Sequence, residues 1–233
     1  MIEEILKRLE AAANKEKALI LQRFFKTGVG QYGEGDLFFG IQVPTLRSLV
    51  KEFQALPMEE TPRLLSSPYH EARFLAILIL VKKYSKASPI EQQKIYNFYL
   101  DNTAYINNWD LVDVSAHHIV GHYLFTKDRS ILYSLASTGN LWQRRIAIIA
   151  TAYFIKKADF NDTLKISEIL LKDREDLIHK AVGWMLREVG KKDIEIEKSF
   201  LAKYYNVMPR VMLRYAIEKF PEQERKQYLK GEK

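Results

Sequence analysis

The sequence predicts an all-α chain, a right-handed solenoid of helical repeats forming one domain over residues 1–233, on three observations. Apolar residues recur at three- and four-residue spacing along most of the chain, the signature of amphipathic helices. No stretch alternates apolar and polar residues convincingly enough to be a strand. Charged residues that precede short apolar segments return at a nearly constant interval, which marks an internal repeat.

Taken in order, residues 2–13 and 15–26 read as two helices. Four glycines between Gly28 and Gly35 then break the pattern into a loop. Within it, Gly28-Val29-Gly30-Gln31-Tyr32-Gly33 spells the dinucleotide fingerprint, but that fingerprint needs a preceding strand, and here a helix precedes it. From Pro44, a residue suited to a first helical turn, the helical pattern resumes. It continues over 58–66, 69–85, 89–101, 107–125, 128–137, 141–157, 162–173, 176–190, 193–204 and 208–220, with breaks at Pro, Gly, Asn and Asp. Arg73 precedes Phe-Leu-Ala-Ile, Arg145 precedes Ile-Ala-Ile-Ile, Lys180 precedes Ala-Val-Gly-Trp and Arg214 precedes Tyr-Ala-Ile; Asp113, before Val-Ser-Ala-His, fits the same slot. Intervals of 40, 32, 35 and 34 residues separate these five positions, the period of HEAT or armadillo helix pairs. Equivalent positions in such a stack form a column, here four cations and one acid, along a face that commonly binds.

Composition narrows the chemistry. With 36 Lys and Arg against 29 Asp and Glu, the 233-residue chain carries a formal charge of +7, which suits a polyanionic partner. There is no cysteine, so disulfides, thiol nucleophiles, zinc–thiolate sites and iron–sulfur clusters are excluded. The longest apolar run, Phe74 to Val81, is far short of the roughly 20 residues that cross a bilayer. Acids in the first ten residues argue for an amphipathic helix rather than an export signal. The expectation is a soluble, cytoplasmic protein, monomeric because a solenoid caps its own ends.

The stretch Asn107-Asn108-Trp109-Asp110-Leu111-Val112-Asp113 carries the candidate chemistry. The Asn pair supplies an N-cap, and residues at i and i+4 share a helix face, so Trp109 and Asp113 project into the same space. A carboxylate beside a π face suits a cationic ligand or transition state. The same spacing also serves a Trp core anchor with a solvated or ion-paired acid, and both readings stand. Trp184 lies one turn after Lys180, as Trp109 lies one turn before Asp113. Arg73, Arg145, Lys180 and Arg214 could track a phosphate backbone or tie repeats together by ion pairs. His118 and His122 have metal-ligand spacing, but Ile119 stands where a zinc protease needs its Glu, so no metal is expected. His70, His117 and His179 have no partner by spacing and read as surface or capping residues, and Lys156-Lys157 and Arg225-Lys226 as phosphate contacts or, more ordinarily, solvated charge.

Four motifs in order resemble the DNA alkylation repair proteins, which include AlkD-like DNA glycosylases built from HEAT-like repeats. They are Gly33-Glu34-Gly35-Asp36-Leu37-Phe38-Phe39-Gly40-Ile41-Gln42-Val43-Pro44, Trp109-Asp110-Leu111-Val112-Asp113, Leu141-Trp142-Gln143-Arg144-Arg145, and Lys180-Ala181-Val182-Gly183-Trp184-Met185-Leu186-Arg187-Glu188. The resemblance implies a catalytic set of Trp109, Asp113, Arg145 and Trp184, with Arg73, Arg144, Lys180, Arg187 and Arg214 as DNA contacts. It further implies release of cationic N3- and N7-alkylated purines from double-stranded DNA without drawing the base into a pocket, leaving an abasic site and using no metal or other cofactor. The glycine-rich loop is fuller here than in the best-studied glycosylase of that family. A non-catalytic DNA-binding repeat protein and a protein-interaction scaffold are the alternatives, separated from the enzyme by base release and by saturable DNA binding.

Overall fold

A computed structural model describes residues 1–233. It is all-α: helices follow one another along the chain, and the single β-type contact is an isolated bridge between Leu37 and Tyr69. No helix is long and apolar enough to cross a membrane. The chain forms two compact units, Met1–Ser115 and Ala116–Lys233, each with its own core.

The first unit contains α1 (Ile2–Ala11), α2 (Lys15–Phe24), α3 (Val43–Glu52), α4 (Thr61–Leu65), α5 (His70–Tyr84), α6 (Pro89–Asp101) and α7 (Trp109–Asp113). Its hub is α5, against which α1, α3, α4, α6 and α7 all pack. The sequence of α5 explains this: Phe74-Leu75-Ala76-Ile77-Leu78-Ile79-Leu80 leaves hardly any polar face, and a helix apolar all round is stable only when surrounded. Local signals start the outer helices. The Asn14 side chain accepts from the Lys17 amide to begin α2, and Ser88 with Glu91 forms a reciprocal capping box around Pro89 to begin α6. Between α2 and α3 runs the glycine-rich loop. Gly40 adopts φ +83°, and a Cβ there would sit 2.1 Å from the Asn14 carbonyl oxygen, so glycine alone lets the loop pass the start of α2.

In the second unit, a π-helical turn at His117–Gly121 leads into α8 (His122–Leu124), α9 (Ser130–Thr138), α10 (Leu141–Ala150), α11 (Ala152–Lys156), α12 (Asn161–Ile169), α13 (Asp176–Gly190), α14 (Ile194–Tyr204), α15 (Arg210–Ala216) and α16 (Glu222–Lys230). Here α13 is central, packing on α10, α11, α12, α14 and α15. It approaches α15 closely because Gly183 has no side chain; a Cβ at that position would lie 2.4 Å from the Met212 carbonyl oxygen.

Several helices are shorter than the periodicity predicts: 58–66 reduces to α4, and 162–173 ends in a 3₁₀ turn at Leu170–Lys172. The span 107–125 begins at Trp109 and breaks after Asp113, where the Ser115 hydroxyl bonds the carbonyl of Leu111 at 2.6 Å, before the backbone resumes in π register. The span 141–157 breaks at Thr151, whose hydroxyl bonds the Ile148 carbonyl at 2.7 Å. The span 208–220 is α-helical only over α15 and tightens into a 3₁₀ turn at Ile217–Lys219. Helix α16 lies in a tail to which the sequence reading assigns no helix.

Candidate functional site

In the first unit the site residues sit on a single helical turn. Asn108, fully buried, accepts the Trp109 amide at 2.8 Å and starts α7; a second bond, from the Leu111 amide to Asp110 Oδ1 at 2.8 Å, steadies the turn. Of the Asn pair, therefore, Asn108 is the cap. Trp109 and Asp113 are the first and last residues of α7, both half-buried. The indole is fixed on several sides. Its Nε1–H donates to the Tyr32 hydroxyl at 3.3 Å, its ring stacks on Phe25 at 5.4 Å between centroids, and the edge of Phe24 meets it at 5.9 Å. The Asp113 charge is felt at Tyr99, a fully buried phenol that bonds the Ser115 hydroxyl at 2.8 Å. Burial, chiefly, pushes the Tyr99 pKa up, and the negative Asp113 adds to the effect.

Beneath this turn lies a buried charge network that spacing does not reveal. His70, at the start of α5 and only 3% exposed, sits between two carboxylates, with Nε2 2.8 Å from Asp110 Oδ2 and Nδ1 3.4 Å from Asp36 Oδ2. Arg73, one turn along α5, donates to Asp36 at 2.6 Å and to the Ser67 carbonyl at 3.1 Å. Burial favours the neutral imidazole, but the charge and hydrogen bond of Asp110 and the hydrogen bond of Asp36 prevail and raise the His70 pKa to about 9. For Asp36, burial acts to raise the pKa, whereas the His70 hydrogen bond and the Arg73 charge overcome it and hold the carboxyl below its ordinary value. Glu71, the next residue of α5, takes the other end of the loop: its carboxylate accepts the amides of Phe39, Gly40 and Ile41 at 3.0, 2.8 and 3.1 Å. Phe38 stacks on His70 at 4.9 Å. The glycine-rich loop is thus a brace for Trp109, joined to α5 and α7 by Tyr32, Asp36 and Phe38.

Two sequence readings are corrected here. Arg73, expected to contact DNA, is a buried structural cation whose guanidinium is occupied by Asp36 and Ser67. His70, expected at the surface or in a cap, is buried between two acids. Spacing missed Tyr32, Phe25, Asp36 and Asp110 because their contacts link segments far apart in the chain. The available signal was that Asp36 and Asp110 lie within the two motifs themselves.

In the second unit, α10 begins at an Asn140–Gln143 capping box and carries Arg144 and Arg145. Arg145 is 5% exposed and donates from Nη1 to the Leu177 carbonyl at 2.5 Å, which ties α10 to the first turn of α13. Arg144 grips Asp173 from Nε at 2.7 Å and the Gly139 carbonyl at 2.9 Å. Lys180 pairs with Asp176 at 2.6 Å, Arg187 pairs with Glu218, and Arg214 is exposed on α15. Trp184 on α13 donates from Nε1 to Glu188 at 3.1 Å, and Glu188 also holds Lys191 at 2.6 Å. A cavity of about 380 Å³ opens beside that indole, with His117, Lys156, Lys191 and Lys192 among its lining residues. The half-buried indole is thus flanked by one acid, Glu188, and by Lys156, Lys191 and Lys192.

The profile of a family described as "DNA alkylation repair enzyme" matches residues 5–220. The chain belongs to that family. The DNA alkylation repair fold is also evident by superposition. A solved structure described as a predicted DNA alkylation repair enzyme from Enterococcus faecalis superposes with a TM-score of 0.68 at 19% identity, over 90% of this chain and 97% of that one. No curated protein matches. In this member of the family, the motif residues Trp109, Asp113, Arg145 and Trp184 all lie on helices, two in each unit.

Proposed function

We propose that this DNA alkylation repair enzyme is a monofunctional glycosylase, acting as a monomer in the cytoplasm on double-stranded DNA that contains cationic N3- or N7-alkylated purines. The observation that carries the reading is the single turn of α7, which presents an immobilised indole and a carboxylate from its two ends. Alkylation makes the purine cationic, so it departs with little general-acid help, and positive charge builds on the deoxyribose as an oxocarbenium ion. Asp113 stabilises that charge and accepts a proton from the attacking water. Water adds its oxygen to C1′, the purine leaves with the electrons of the N-glycosidic bond, and the product is an abasic site. Trp109 offers a π face to the polarised C–H groups of the sugar. Trp184 and Arg145 are assigned parts on the motif match: Trp184 as a second aromatic surface, Arg145 as a phosphate-directed cation whose Nη1 is already bonded to Leu177. Arg144, Lys180, Arg187 and Arg214 are proposed to add phosphate contacts, the first three by exchanging intramolecular ion pairs for DNA.

Single-turnover release of N7-methylguanine from a defined duplex, for the protein and its Asp113→Asn variant at equal DNA occupancy, tests this. The expected loss in the variant is on the order of 10²–10³-fold, with binding retained. If the unaltered protein binds the duplex and releases no base, the glycosylase reading fails for that lesion and a non-catalytic DNA binder replaces it.

A further inference from the structure

We propose that His70, as an imidazolium, is a positioning residue: by bridging Asp36 of the glycine-rich loop to Asp110 of α7, it fixes the one helical turn that carries Trp109 and Asp113. The inference rests on the glycosylase reading for its catalytic consequence, but its structural part stands apart from it. Five residues make a helix too short to hold its own shape, so the direction of α7 is set by what its side chains grip. Asp110 is the residue between Trp109 and the apolar Leu111-Val112 pair, and its carboxylate meets His70 Nε2 at 2.8 Å.

Every charged group around the imidazole is accounted for. Asp36 faces it from the loop, Asp110 from α7 and Arg73 from its own helix, while Glu71 is turned to the loop amides. Two carboxylates are therefore balanced by two cations, provided His70 carries its proton. Phe25 at 4.7 Å and Phe38 at 4.9 Å close over the ring, and aromatic faces favour a cation there. A neutral His70 has only one N–H and can donate to only one of the two acids, leaving Asp36 to Arg73 alone or Asp110 to the Leu111 amide alone. The charge balance would then be lost directly beneath Trp109.

The test uses the full chain labelled with 5-fluorotryptophan and followed by fluorine NMR, the Trp109 signal being assigned by its loss in Trp109→Phe. The Trp109 signal is expected to move with a midpoint near pH 9, to move still in Tyr32→Phe, which removes the phenol bonded to the indole, and to be displaced and insensitive to pH in His70→Gln. In single-turnover base release, His70→Gln is expected to lose roughly 10–100-fold in rate with duplex affinity within about twofold of the original, the pattern of a misplaced group rather than a lost contact. The double variant His70→Gln/Asp110→Asn, which restores charge balance with neutral partners, is expected to recover to within about threefold and to lose the fall in rate towards pH 9. A Trp109 signal that is flat with pH, or the same in His70→Gln as in the unaltered protein, overturns the proposal, as does unimpaired release by His70→Gln. If the fluorine signals behave as expected and the unaltered protein releases no base, the glycosylase reading is lost and the role of His70 in holding α7 is upheld.

Discussion

Replacing Glu71 by Gln tests how the glycine-rich loop is held. The Glu71 carboxylate is 2% exposed and accepts three backbone amides, at 2.8, 3.0 and 3.1 Å, from consecutive residues that no helix or strand satisfies. A hydrogen bond to a charged acceptor contributes about 1.5–3 kcal/mol, and a buried amide left without a partner costs about 1–3 kcal/mol. Glutamine retains one acceptor oxygen, able to serve two amides at most, and points an NH₂ at the third. The expected loss is thus about 3 kcal/mol, a large fraction of the 5–15 kcal/mol that holds a typical domain together. It should appear as a fall in the guanidinium midpoint with the denaturant slope unchanged, and as faster hydrogen exchange at the amides of Phe39, Gly40 and Ile41. A loss below about 1 kcal/mol with those three amides still protected would refute the latch and the energetics assigned to it.

Three further outcomes follow from buried groups. The His70 pKa is raised from 6.5 to about 9, so its stabilisation is complete below pH 6.5 and is lost as pH rises through 9; the displacement corresponds to about 3 kcal/mol, seen as the excess loss of the unaltered protein over His70→Gln in urea unfolding at pH 6 and pH 10. Burial raises the Glu197 carboxyl from 4.5 to about 8, against the opposing pull of Arg187, so the fold favours its protonated form and stability is shed as pH rises across that interval; in Glu197→Gln, thermal unfolding should show a shallower fall between pH 5 and pH 8.5. Gly183→Ala forces α13 and α15 apart against the Met212 carbonyl, and a destabilisation of about 1–3 kcal/mol is expected by denaturant titration.

The all-α class was legible because periodicity is local, and so was a helix start at the Asn pair, which puts Trp109 and Asp113 on one short helix. That a helix, α2, precedes the glycines was legible too. Helix ends were less so. Ser115 and Thr151 break their helices through hydroxyl bonds to carbonyls three or four residues back, a choice that residue identity permits without requiring. The charge network was hidden for a different reason. Asp36, His70 and Asp110 are brought together by tertiary packing alone, and a periodic column of basic residues cannot show that Arg73 turns inward to a carboxylate 37 residues earlier.

Helix α2 buries none of its own residues, and Leu19, Ile20 and Phe24 lie largely in solvent. Ten residues held chiefly by the Asn14 cap at one end and the Phe24 and Phe25 rings at the other form a segment whose opening costs less than unfolding of the unit. Lys15, Lys17 and Arg23 should therefore be the first tryptic sites cut in the native protein, while the α5 core stays intact. Because the ring of Phe24 covers one edge of Trp109, each such opening also uncovers the indole. The frequency with which α2 lifts away is then a gating rate, and it sets an upper limit on how fast any ligand that needs that edge of Trp109 can be admitted.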